Sequence, residues 1–169
     1  MSIGQTLLPE FDAEMADTRK VLAEVPEAHL EWQPHEKSMT LGRLATHLAE
    51  LPGWAVMTLT QDSVDLAPPE GEEWKPRVAG SRDELLSIFD EASANARQAI
   101  ADARDEVFGQ PWTLKRGDED VFTAPKAAVL RRFVMNHSVH HRGQLTVFLR
   151  LLDAHVPGTY GPSADEPDF

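Results

Sequence analysis

The stretch "NHSVHHRGQL", Asn136 to Leu145, puts three histidines within five residues of a chain that has no cysteine. His137 and His141 are four apart. On a helix such residues are neighbours on one face, so both rings reach one point, a common way of holding a metal ion. A divalent ion that accepts neutral imidazole is expected, zinc or nickel first, then iron or manganese. A metal would also satisfy one nitrogen of each ring, which burial otherwise leaves costly. The competing reading is a pair of core histidines hydrogen-bonded to backbone, a neighbouring polar group or water.

A metal needs a third ligand from another element. His47, in "LGRLATHLAEL", lies on the edge of an apolar face marked by Leu44, Leu48, Leu51 and Ala55, beside Trp54. Alone it reads as a structural histidine; paired with His137 and His141 across a bundle it reads as a ligand. Three neutral histidines leave positions open for water or substrate, the pattern of catalytic sites. Glu50 is the one acidic residue that can be placed near, either as a general base or as a solvated glutamate.

The elements must bring these side chains together. Advancing about 100° per residue from His137, Leu130, Gln144 and Phe148 fall within about 20°, Phe133 and Leu151 near −40°, and His141 near +40°. This predicts an apolar stripe interrupted by two imidazoles, with His140 at its edge and Arg142 and Thr146 pointing away, toward solvent or a partner. Gln144 faces the stripe, either to bind substrate or to donate to a backbone carbonyl. His29, His35 and His155 read as surface residues.

Four helical segments are expected. "IGQTLLPEFDAEMADTRKVLAEV" opens the chain, with Pro9 expected in a first turn, where its missing N–H does no harm. A second helix opens at Ser38 or Thr40 and is interrupted at Pro52-Gly53. Residues 61 to 80 read as irregular. "SRDE" at Ser81 is a capping box for a third helix with Leu85, Phe89, Ala92, Ala96 and Ile100 on one stripe. "KRGDED" reads as a turn in a loop over 104 to 122. Thr123 then caps a fourth helix, with Pro125 in its first turn, and the tail "HVPGTYGPSADEPDF" reads as extended. No strand pattern or repeat stands out. The expectation is an all-α four-helix bundle, one domain over 1–169.

Composition limits the function classes. Hydrophobic content of 41% with 26% charged residues fits a globular domain. No apolar run approaches the roughly 20 residues needed to cross a bilayer and no signal pattern opens the chain, so a cytoplasmic location is expected. The net charge of −12, from 28 acidic and 16 basic residues, argues against nucleic acid as a partner. Zero cysteines exclude disulfides, thiolate ligands and a sulfur nucleophile from the chain itself.

"LGRLATHLAELPGW", "NHSVHHRGQLTVFLRLL" and "VPGTYGPSADE" together resemble the DinB-like family of metal-binding four-helix bundles, over nearly the whole chain. The resemblance implies helices in up-down-down-up order, with the long connection between helices two and three. It also implies a metal held by His47, His137 and His141, leaving His140 outside the triad. Some relatives transfer or isomerise with a low-molecular-weight thiol such as bacillithiol or mycothiol. The resemblance therefore implies a metal-dependent thiol transferase acting on a small electrophile, and it is compatible with a homodimer. A non-catalytic metal-binding or sensing bundle and a metal-dependent hydrolase are the alternatives.

Overall fold

The computed structural model describes residues 2–67 and 76–168; residues 68–75 of the expected irregular connection lie outside the described residues. Helix α1, Ile3–Ala23, starts at a reciprocal capping box in which Ser2 Oγ accepts from Gln5 N and Gln5 Oε1 accepts from Ser2 N. Because that box fixes the start, Pro9 lies well inside the helix and not in its first turn. Its ring removes the hydrogen bond to the Gln5 carbonyl. Gln5 and Pro9 are both exposed, so water can satisfy that oxygen.

Thr40 caps α2, Leu41–Glu50, accepting from Arg43 N. The Pro52-Gly53 pair separates it from α3, Gly53–Thr60, as the sequence predicts. Ser81 caps α4, Arg82–Asp102. Glu84 reaches back one residue further than a simple capping box requires, accepting from Gly80 N at 2.9 Å. A short helix, α5, follows at Asp105–Phe108.

The expectation of an all-α chain is corrected. The molecule is mostly helical but carries a three-stranded sheet: β1, Ser63–Asp65, pairs parallel with β2, Pro111–Arg116, which pairs antiparallel with β3, Glu119–Pro125. The predicted "KRGDED" turn is the tip of this hairpin, with Gly117 at φ 60°. These strands gave no alternating signal because they are short, largely exposed and broken by an irregularity at Leu114/Lys115. Thr123 consequently does not cap a helix; its hydroxyl lies 2.9 Å from that of Thr113 across the strands. Pro125 precedes α6, Lys126–Val129, with no side-chain cap.

From α6 the chain continues as a π-helical segment, Leu130–Met135, and then as α7, Asn136–Leu151. One core joins Phe11 and Leu22 of α1, Leu44 and Leu48 of α2, Leu85 and Phe89 of α4, and Leu145 and Leu149 of α7. Gly4 lets α1 approach the end of α4 closely, since a Cβ there would collide with the Ile100 carbonyl.

The buried side of α7 is not the predicted stripe. Ser138, His141, Arg142, Leu145 and Leu149 are buried, a direction centred about 90° from His137. Leu151, expected inside, is 59% exposed, as is Val147 at 57%. The helix packs against both α1 and α2, and the bisector of those neighbours sets the buried direction. His137 therefore stands at the margin of the core.

Candidate metal centre

Helix α7 contributes His137 and His141 one turn apart, and α2 contributes His47 in its last turn. Their ring centroids are 5.2 Å apart for His47–His137, 4.7 Å for His47–His141 and 4.6 Å for His137–His141. One ring nitrogen from each lies within 4.8 Å of the others. His141 is 8% exposed, while His47 and His137 are half-buried. The site thus sits where core meets surface.

Neighbours fix the ring orientations. His141 Nδ1 donates to Gln144 Oε1 at 2.7 Å, leaving Nε2 as the lone-pair nitrogen. A ring N–H of His137 donates to the carbonyl of Phe133, one turn back in the π-helical segment. Since His137 Nε2 faces His141, that donor is Nδ1. The two Nε2 atoms then face each other at 2.9 Å. Two lone pairs so opposed repel unless a cation or a proton lies between them. Backbone or side-chain acceptors on the far nitrogen are also how metal-ligating histidines are usually held.

All three rings favour the neutral form that a metal requires. Burial pushes His47 down to about 4, helped by His141, His137 and the Arg43 guanidinium. Burial likewise lowers His137 and His141, against the hydrogen bonds from Phe133 and Gln144 that raise them. The donor set is three neutral imidazoles with no carboxylate or sulfur among them, which fits a divalent ion of borderline softness. Three histidines are positioned to hold a divalent metal.

The other expected residues divide. Gln144 is largely exposed, and its amide oxygen serves His141 rather than a backbone carbonyl. Glu50 is half-buried and its carboxyl pKa is raised by burial against the opposing charges of Arg43 and Arg77; its nearest cation is Arg43 Nη1 at 3.8 Å. His140 is exposed, its ring edge-on to His141 at 4.8 Å, and outside the cluster. His29, His35 and His155 are exposed, His155 lying between Glu24 and Glu166. A surface cavity of about 500 Å³ borders His29, Trp32 and Val78, and none of the three clustered histidines lines it.

Arg142 overturns an expectation. It points away from the triad, but into the protein: its Nη2 lies 2.8 Å from Glu14 Oε2, and Nη1 donates to the Glu14 carbonyl and to Thr18 Oγ1. The acidic partner is on α1 of the same chain. Sequence reasoning also passed over Arg43, whose charge acts on both His47 and His141. Its signal was its position one turn before His47.

The comparisons agree with this architecture. The sequence model of the DinB family matches residues 1–168. An uncharacterized protein, YrdA, from Bacillus subtilis (strain 168) is 29% identical over 161 residues, covering 93% of this chain and 86% of that protein. The crystal structure of a DinB-like protein from Bacillus cereus ATCC 10987 superposes with a TM-score of 0.70 at 22% identity, covering 92% of this chain and 97% of that one. A DinB-like protein from Bacillus subtilis, YjoA, gives a TM-score of 0.67 at 16% identity, with coverages of 91% and 97%. At those identities the structures speak to fold alone, but the match of the family's own sequence pattern runs from the first residue to the last but one, and on it the chain belongs to the DinB family.

Proposed function

We propose that the protein is a metal-dependent transferase that takes a low-molecular-weight thiol as cosubstrate and directs its sulfur at a small electrophile. The observation that carries this reading is the opposed pair of Nε2 lone pairs, 2.9 Å apart and joined by His47, in a donor set of three neutral ligands. Three protein ligands leave a position for an exogenous group, whereas structural zinc sites usually close at four. A divalent ion held there would supply a positive centre that lowers the pKa of a bound thiol. The chain has no cysteine, so the sulfur must arrive from solution.

The protein's own residues hold and orient this centre. Gln144 and the Phe133 carbonyl fix the His141 and His137 rings, so each presents Nε2 without a rotational search. Burial keeps the rings unprotonated, and the half-exposure of His47 and His137 leaves a way in for small molecules. Zinc and nickel are the first candidates for the ion. No helix among the described residues is long and apolar enough to cross a membrane, and a cytoplasmic, small-molecule role belongs to the same proposal.

A hydrolase reading draws on the raised carboxyl pKa of Glu50, a property of general bases. The arginine beside Glu50 weakens it, since a paired carboxylate is a poorer base. The deciding experiment incubates metal-loaded protein with a panel of thiols and a haloarene. Thiol-dependent conjugation above a metal-free control is expected; a rate no thiol can raise removes the transferase reading and leaves a metal-binding or sensing role.

A further inference from the structure

We propose that Arg43 is a specificity residue of this site: its guanidinium binds a carboxylate carried by the thiol cosubstrate while the sulfur approaches the histidine cluster. The inference rests on the metal-dependent thiol reading and adds the charge class of the ligand.

The geometry starts on α2, where Arg43, His47 and Glu50 follow at i, i+4 and i+7 and so share one face. Arg43 and Glu50 are separated by about 10 Å of helix rise. Their side chains nevertheless come within 3.8 Å, which requires them to run toward each other along the helix and meet beside His47. The Arg43 side chain is only 15% exposed and that of Glu50 30%. A cation is thus held in a partly dehydrated position against a metal-binding imidazole, where its attraction for an anion is greater than at the open surface.

Local sequence logic does not account for an arginine there. Arg43 is the third residue of α2, in a first turn that holds no acidic residue. That end of a helix favours anions and disfavours cations. Elsewhere in the molecule the same rule is obeyed, with Asp83 and Glu84 in the first turn of α4. A residue that breaks a local rule beside a functional cluster is a candidate for function.

The charge balance points to the ligand. The three histidines are neutral ligands, so a divalent ion would bring its full charge, Arg43 adds one more, and Glu50 removes one. The result is a cationic spot on a chain of net charge −12. Neutral thiols gain nothing from it, whereas an anionic thiol gains at both ends. A guanidinium has five N–H donors in a fork, so Arg43 can keep its existing contacts and still take a carboxylate.

The test uses cobalt(II)-loaded protein, whose visible spectrum reports sulfur binding, titrated with 3-mercaptopropionate and with its neutral analogue 3-mercaptopropan-1-ol. The expected result is about ten-fold tighter binding of the anion, as one charge-assisted hydrogen-bonded contact supplies. Arg43→Gln, checked by its melting curve and cobalt content, should abolish that preference and leave the neutral thiol's Kd unchanged; Arg43→Lys should restore part of it. Equal affinities in the unaltered protein, or a preference that survives Arg43→Gln, overturn the assignment of Arg43 alone. Failure of the unaltered protein to take up cobalt, or of either thiol to perturb its spectrum, sinks the underlying metal or thiol reading, and this one with it.

Discussion

Helix α7 carries a polar centre on each of two flanks, and they are built on opposite principles. On one flank, Arg142 is buried beside Glu14, donates to the Glu14 carbonyl and Thr18, and is covered by the Tyr160 ring at 4.9 Å, whose hydroxyl donates to the same carboxylate. Every charge there meets its opposite within the chain. On the other flank, His137 and His141 meet His47 with lone pairs turned toward one another and no anion or donor among them. A buried ion pair that the protein completes is architecture: it ties α7 to α1 and to the tail. A cluster of like acceptors is an incomplete object, and it makes physical sense only with a cation from outside. Adjacent residues, His141 and Arg142, belong to the two different centres.

The comparison can be broken or sharpened in four ways. The largest effect should come from Glu14→Ala. Removing one partner of a buried pair leaves a buried charge, and about 3–5 kcal/mol of stability should go, read by urea unfolding of metal-free protein. A loss below about 1 kcal/mol, the range of surface pairs, would make Arg142–Glu14 no more structural than its exposed counterparts. His137→Ala should do the reverse, leaving metal-free stability nearly unchanged while abolishing metal uptake. With it should go the stabilisation a bound ion gives, about 2.7 kcal/mol at a hundred-fold excess over Kd. Unchanged metal content by mass spectrometry after dialysis would defeat the assignment.

Acid should separate the flanks next. His47 has its pKa lowered from 6.5 to about 4, with His137 and His141 lowered too. The unfolded chain therefore binds protons that the folded one does not, so stability from keeping these rings neutral is present above pH 6.5 and is lost as pH falls toward 4. Metal-free protein unfolded at a series of pH values should show this slope, and His47→Gln should flatten it; a slope unaffected by that change would locate the titration elsewhere. The smallest effects distinguish orientation from ligation. Gln144→Ala should weaken metal affinity about ten-fold, as for partners that orient a ligand, whereas His140→Ala should leave most of the metal bound. Full loss of metal in His140→Ala would mean that His140, not His141, completes the site.

Much of this was legible in residue types and spacing. The interval from His137 to His141 specifies a shared helix face by itself, and Thr40 and Ser81 cap their helices as hydroxyls before helical runs do. The hairpin was not legible, because Trp112 is its only fully buried strand residue and the rest of both strands lack the alternation that a half-buried sheet writes into sequence. Arg142 was misread for a different reason. Its angle around α7 was right, but an angle says nothing about what lies in that direction.

What the sequence by itself determined, then, is local: helical periodicity, caps, the proline break, the absence of sulfur, and two imidazoles one turn apart. These follow from bond geometry and side-chain chemistry within a few residues. The tertiary structure alone decided which side of α7 is inside, that His47 closes the cluster from α2, that Phe133 and Gln144 orient its rings, and that Arg43 stands beside it. Those depend on how helices distant in sequence pack, and packing is set by the shape of the whole core, where no short-range pattern records it.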